Sequence, residues 1–197
     1  SEIGGPGQQA LKRARVLIVG MGGVGNPAAL YLAAAGVGTL GLVDDDTVAL
    51  SNLQRQIAFT TEDAGRSKVE AGAERLNALN PHVTVQTFNR RVTPDSAATL
   101  MQGFDLALDG TDDFETRLAV NAACVAAGKP LVSGALGRWS GQVSVFDGRC
   151  PHQGNLLADG EVVDGQLVCA AHGWRFDCLS GRRAGDPRTC LHRFDAQ

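Results

Sequence analysis

Two sets of residues in this 197-residue chain have types and spacings that do chemistry. The first is a run of glycines. Gly20, Gly22 and Gly25 give G-x-G-x-x-G, with Gly23 inside it, directly after the apolar residues Val16, Leu17, Ile18 and Val19. In such a turn the first glycine allows the tight bend, the second lets a phosphate approach the backbone, and the third lets helix pack on strand. The helix N-terminus that follows offers unpaired N–H groups and a partial positive charge to an anion. The spacing alone also suits a purely structural βα turn. The flanking strand and helix favour a nucleotide, as does an acidic strand end at Asp44 that can accept both ribose hydroxyls.

The second set is thiol and imidazole. Cys150 and His152 form C-x-H, sixteen residues intervene, and Cys169 and His172 form C-x-x-H. Two cysteines and two histidines on two loops suit tetrahedral zinc, or a [2Fe–2S] cluster with Cys₂ on one iron and His₂ on the other. Cys178 and Cys190 read as ordinary non-ligand cysteines. An odd count of five, four of them from Cys150 onward, is unlike a secreted disulfide framework. A cytoplasmic protein is therefore expected. With 44% hydrophobic and 20% charged residues the class is soluble globular. A net charge of −3 gives no reason to expect nucleic-acid binding. No apolar run is long enough for a membrane span, and the start lacks the pattern of a signal peptide.

The elements that must position these residues follow an α/β pattern. Residues 1–14 read as a Gly-rich lead-in. Strands are expected at 16–19, 39–43, 83–88, 104–109, 130–133 and 142–146. Helices are expected at 28–35, from a cap at Ser67 to 79 before Pro81, from Pro94 to 101, and at 114–127, with Asp113 as a cap. Strands alternating with helices imply a parallel sheet, and ligands of such sheets sit at the carboxyl ends of strands. That brings Gly22, Asp44 and Asp112 around one crevice. Beyond about residue 150 the helical periodicity vanishes and glycines become frequent. Asp159 with Gly160 and Asp164 with Gly165 are hairpin signals there.

Over residues 8–146 the chain resembles the adenylating domain of the MoeB/ThiF/HesA family, relatives of ubiquitin-activating enzymes. The resemblance rests on the glycine turn, on Asp44 to Asp46, on Ser51-Asn-Leu-Gln-Arg-Gln56, on Lys68, on Asn80 with Pro81, and on Asp109-Gly-Thr-Asp112. It implies a MgATP-dependent enzyme, a homodimer, that adenylates the C-terminal glycine carboxylate of a ubiquitin-like sulfur-carrier protein of the MoaD/ThiS type. By the same resemblance Arg55 and Lys68 are phosphate ligands, Asn52 is a polar ligand near the nucleotide, and Asp112 holds Mg²⁺. Gly20, Gly22, Gly23, Gly25 and Asp44 complete the expected nucleotide site. No general base is needed, because a carboxylate is already ionised at pH 7. Family members carry an arginine-containing segment ahead of the region that begins here at Ser1, and that arginine reaches the partner subunit's ATP. On that account weak adenylation is expected of this chain.

Residues 140–188 resemble a Rieske module, in Cys-Pro-His-Gln-Gly and in Cys-x-x-His-Gly-Trp-x-Phe-Asp. That resemblance assigns Cys150, His152, Cys169 and His172 to a [2Fe–2S] cluster, with Zn²⁺ at the same ligands as the alternative, and has Trp174 and Phe176 dock the second loop. The expected architecture is thus α/β: a Rossmann-like, mostly parallel sheet with helices on both faces at 1–146, then a small β-rich Rieske-like segment at 147–197. Two other readings stand beside adenylation: a Rieske-type electron-transfer protein on a nucleotide-binding scaffold, and an NAD-binding oxidoreductase. The Ser51 to Gln56 string, Lys68 and Asp112 argue against the second of these, since a dinucleotide site has no use for them.

Overall fold

The computed structural model describes residues 3–136, 141–146, 161–169, 172–177 and 182–191. Its larger sheet has six strands in the order β3-β2-β1-β4-β5-β6. These are β1 (Arg15–Val19), β2 (Thr39–Val43), β3 (Thr84–Phe88), β4 (Leu106–Asp109), β5 (Leu131–Leu136) and β6 (Gly141–Phe146). The first five run parallel. The sixth pairs antiparallel with β5, Leu131 opposite Phe146. Four residues separate β5 from β6, and strands joined by so short a connection can only return antiparallel.

Helices α2 (Gly25–Ala35), α3 (Lys68–Leu79), α4 (Pro94–Gln102) and α5 (Phe114–Ala127) cover the sheet. Strand β1 explains why. Val16 and Ile18 belong to a core with Ala29 and Ala33 of α2 and Val69 and Leu76 of α3. Leu17 and Val19 belong to a second core with Leu100 and Met101 of α4 and Val120 of α5. Alternate residues of one strand thus feed two helical layers, so the strand is apolar throughout rather than alternating. Lys129 ties α5 to α4, its ammonium donating to the carbonyls of Met101 at 2.5 Å and of Phe104, beyond the last turn of α4.

Two local expectations are corrected. The lead-in contains a helix, α1 (Gly4–Arg13). Its glycines and Pro6 argue against a helix, but tertiary contacts override that propensity. Gln8 Nε2 donates to the Ala35 carbonyl at 3.0 Å, and Gly38 N–H donates to that of Leu11 at 3.0 Å. Ser67 does precede α3, yet its hydroxyl makes no capping bond. The backbone N–H of Lys68 instead donates to the Asp46 carbonyl at 3.1 Å.

A second sheet of five strands follows the order β11-β10-β9-β8-β7. Its strands are β7 (Glu161–Val163), β8 (Gln166–Val168), β9 (Arg175–Asp177), β10 (Arg182–Arg183) and β11 (Asp186–Cys190). Every pairing is antiparallel between chain neighbours. Asp164 and Gly165, both at positive φ, close β7 on β8 as the hairpin signal required. The hairpin expected at Asp159 and Gly160 lies outside the described residues. Among the described residues no helix is long and apolar enough to cross a membrane.

Candidate functional site

The glycine turn leaves β1 at Gly20, where φ is +89°. A Cβ there would stand 3.1 Å from the carbonyl carbon of Gly110, so the position needs glycine twice over. A Cβ on Gly25 would meet the Gly20 carbonyl oxygen at 1.8 Å. This glycine lets α2 close on β1. Gly22 differs, since a Cβ there has nothing nearer than the Gly110 oxygen at 4.0 Å. The space beside it is a cavity of about 610 Å³ along the carboxyl ends of β1, β2 and β4.

Gly20, Gly22, Gly23, Asp44, Asn52, Arg55, Lys68 and Asp112 all line this cavity. Gly25 does not, because it is consumed by the helix–strand contact. Asp44 ends β2, and its carboxylate is fixed against the glycine turn. Its Oδ2 accepts from Met21 N–H at 2.6 Å and its Oδ1 from Asp46 N–H at 2.9 Å. Burial pushes its carboxyl above the ordinary value, against the opposing pull of those two N–H groups and of Lys68. Each oxygen keeps a lone pair for a further donor.

Lys68 is the first residue of α3, with a side chain 6% exposed. Its ammonium lies 2.7 Å from Asp46 Oδ2 and 4.0 Å from Asp44 Oδ1. Arg55 leans over the turn, so that a Cβ on Gly23 would meet Arg55 Cδ at 3.2 Å. Among the described residues neither Arg55's guanidinium nor Asp112's exposed carboxylate has a protein partner. Asp113, by contrast, caps α5, accepting from the hydroxyl of Thr116 at 2.5 Å and its N–H at 2.9 Å. Those two bonds hold its carboxyl below the usual range.

Sequence reasoning passed over three features of the wall. Asp109 is fully buried beneath it, satisfied by Arg117 Nε at 3.0 Å, Ser133 Oγ at 2.8 Å and the N–H and hydroxyl of Thr111. Arg117 also donates to the carbonyls of Thr111 and Gly134, clamping the turn that carries Asp112. Its signal was an arginine one turn into a helix that opens beside a strand-end carboxylate. Arg90 and Arg91 line the β3 side, with Arg90 over the Phe88 ring at 5.7 Å. Gln56 is buried in the lining with Oε1 unpartnered among the described residues, an uncommon state for a buried acceptor.

The wall therefore offers fixed cations, a carboxylate free for a hard cation, and a glycine turn at a helix N-terminus. Asp112 with phosphate oxygens is a donor set that suits Mg²⁺. The model of the ThiF family matches residues 1–188. The chain belongs to the ThiF family. This ThiF-family chain is 51% identical, over 74% of its length, to the probable adenylyltransferase/sulfurtransferase MoeZ of Mycobacterium tuberculosis, of which it covers 37%. It is 49% identical, over 71% of its length, to the sulfur carrier protein ThiS adenylyltransferase of Escherichia coli, covering 56% of it. It thus spans roughly a third to a half of the curated relatives it matches. Among solved structures it resembles the Escherichia coli tRNA threonylcarbamoyladenosine dehydratase TcdA in complex with ATP. The TM-score is 0.66 at 36% identity, over 68% of this chain and 56% of that one.

Cys169 and His172 fall between β8 and β9. Cys169 N–H donates to the Trp174 carbonyl, and Gly173 N–H to that of Cys169, each at 2.8 Å. Cys169 is buried with Phe176 and Leu191, while His172 is exposed. Trp174 packs against this cluster and carries the Arg183 guanidinium 3.5 Å above its ring. Cys150 and His152 lie outside the described residues.

Proposed function

We propose that this chain is an adenylating domain that uses MgATP to activate the C-terminal glycine carboxylate of a ubiquitin-like sulfur-carrier protein. One observation carries the reading: Arg55 and Asp112, both without protein partners among the described residues, line the same cavity as the glycine turn. The names of the relatives support it: one is a sulfur carrier protein ThiS adenylyltransferase and the other a probable adenylyltransferase/sulfurtransferase. In the reaction a carboxylate oxygen attacks the α-phosphorus. A C–O–P linkage forms, the bond to the bridging oxygen breaks, and pyrophosphate leaves with its electron pair. Asp44 holds the ribose hydroxyls, and the turn N–H groups meet the phosphates. Arg55 and Lys68 neutralise charge that grows on the leaving group. Asp112 would hold Mg²⁺, which supplies further neutralisation of the triphosphate when bound. Catalysis is positioning and charge, with no proton to abstract.

The test is titration of ATP with Mg²⁺ against NAD, followed by carrier-dependent exchange of labelled pyrophosphate into ATP. Binding of NAD in preference to ATP would overturn the reading. The reading extends to a homodimer, for which sedimentation is the check, and to the cytoplasm, whose reducing conditions suit a buried free thiol such as Cys124. For the tail beyond residue 147 we infer a Rieske-type [2Fe–2S] site on Cys150, His152, Cys169 and His172, supported by the sequence motif alone. An iron assay with an absorption spectrum tests it, and colourless protein holding stoichiometric zinc would replace iron with zinc.

A further inference from the structure

The nucleotide reading makes Lys68 a phosphate ligand, yet its ammonium already has a carboxylate at 2.7 Å. The local backbone builds that contact. Thr47 and Ser67 form an antiparallel bridge, Val48 N–H donates to the Arg66 carbonyl at 2.9 Å, and Lys68 N–H donates to the Asp46 carbonyl at 3.1 Å. This two-residue ribbon sets the side chains of Asp46 and Lys68 next to each other. Two carboxylates flank the ammonium, and they are not equivalent. Asp44 is 9% exposed with both oxygens held by backbone N–H groups, so it stays where it is. Asp46 is 68% exposed, and among the described residues its carboxylate has no other partner. It is free to turn into solvent.

We propose that Asp46 is a resident counter-anion for Lys68, displaced by the phosphate of an incoming nucleotide. The proposal rests on the nucleotide reading and adds a second duty to the acidic strand end: Asp44 stays as a ligand and Asp46 leaves. While the cavity is empty, Asp46 keeps a nearly buried ammonium paired, which an isolated buried charge requires. When phosphate arrives, the Asp46 carboxylate is exchanged for a phosphate oxygen, so part of the phosphate's attraction to Lys68 is offset by the pair it breaks. Asp46 is a positioning residue that sets nucleotide affinity without touching nucleotide.

The discriminating comparison is Asp46→Asn against Asp45→Asn. Both remove one negative charge from neighbouring residues of the cavity lining, but only the first releases Lys68. Calorimetric titration with MgATP should give Asp46→Asn an affinity about tenfold tighter than Asp45→Asn, equivalent to ~1.4 kcal/mol. A second readout needs no nucleotide. The chain has three lysines, Lys12, Lys68 and Lys129. Mass spectrometry after mild amine acetylation should find Lys68 labelled several-fold faster in Asp46→Asn, with Lys12 and Lys129 unchanged. Equal ATP affinities in the two variants, or unchanged Lys68 labelling, would overturn the counter-anion while leaving the nucleotide reading intact. Failure of the unsubstituted chain to bind ATP would overturn both, and is a separate result.

Discussion

Gly22 and Gly25 belong to one motif, but alanine should act on them in opposite ways. At Gly25 the new Cβ would stand 1.8 Å from the Gly20 carbonyl oxygen and 3.2 Å from Ile18 Cγ2. Ordinary contact begins near 3.4 Å, so α2 must withdraw by about 1.6 Å. That withdrawal would loosen Ala29 and Ala33, both fully buried against β1. Overpacking against backbone, which cannot rotate away, sits at the upper end of such costs, ~3 kcal/mol. For a chain of this size that is a fall in Tm of roughly 6–12 °C. At Gly22 the Cβ meets nothing nearer than 4.0 Å and φ lies outside the left-handed region, so stability should hold within ~0.5 kcal/mol. The methyl group would instead occupy the cavity where phosphate approaches, and MgATP affinity should fall about tenfold or more. Thermal unfolding and calorimetric titration of the two variants separate the effects. Wild-type ATP affinity in Gly22→Ala, or wild-type Tm in Gly25→Ala, would refute the division of labour.

Three further outcomes are expected. Asp112→Ala should abolish the Mg²⁺-dependent part of ATP binding and leave Tm unchanged, because the exposed carboxylate has no protein partner among the described residues; titration with and without Mg²⁺ reads this. Arg117→Met leaves Asp109 buried without its counter-charge and should cost ~3 kcal/mol, seen in urea unfolding. ATP affinity should decline, as pH falls, at a higher pH than for an ordinary carboxylate, because burial raises the pKa of Asp44. The sign for stability follows: ionised Asp44 costs the empty fold stability above the ordinary carboxylate pKa, and that cost is relieved as pH falls through the raised value. Asp44→Asn should remove this pH dependence from titrations run across the acidic range.

Much of the fold was legible because local signals and tertiary structure agree. Strand β2 and helix α5 have the bounds their apolar pattern and caps predict, residues 39–43 and 114–127. The lining residues could be gathered from sequence because strand ends of a parallel sheet share one edge. What stayed hidden depends on partners far apart in the chain. Helix α1 forms despite Gly4, Gly5, Pro6 and Gly7 because it docks on the end of α2. Asp109 looked like a strand residue, and its bonds to Arg117 and Ser133 exist only once β4, β5 and α5 are assembled. Lys68 was legible as a cation, but its pairing with Asp46 needed the Thr47–Ser67 bridge to be seen.

The order of the strands in the two sheets also dictates when each can form. In the larger sheet β1 sits between β2 and β4, and its register with β4 pairs Val16 with Leu106, about ninety residues away. Closing so long a loop is slow, so β1 waits for about ninety further residues before its second edge is covered. The five strands of the smaller sheet pair only with their immediate neighbours and need no such wait. On a ribosome the later of the two sheets can therefore zip as a local unit, while β1 needs an early companion in β2. The edge of β1 that faces β4 is the surface this chain must keep from other molecules until β4 has been synthesised.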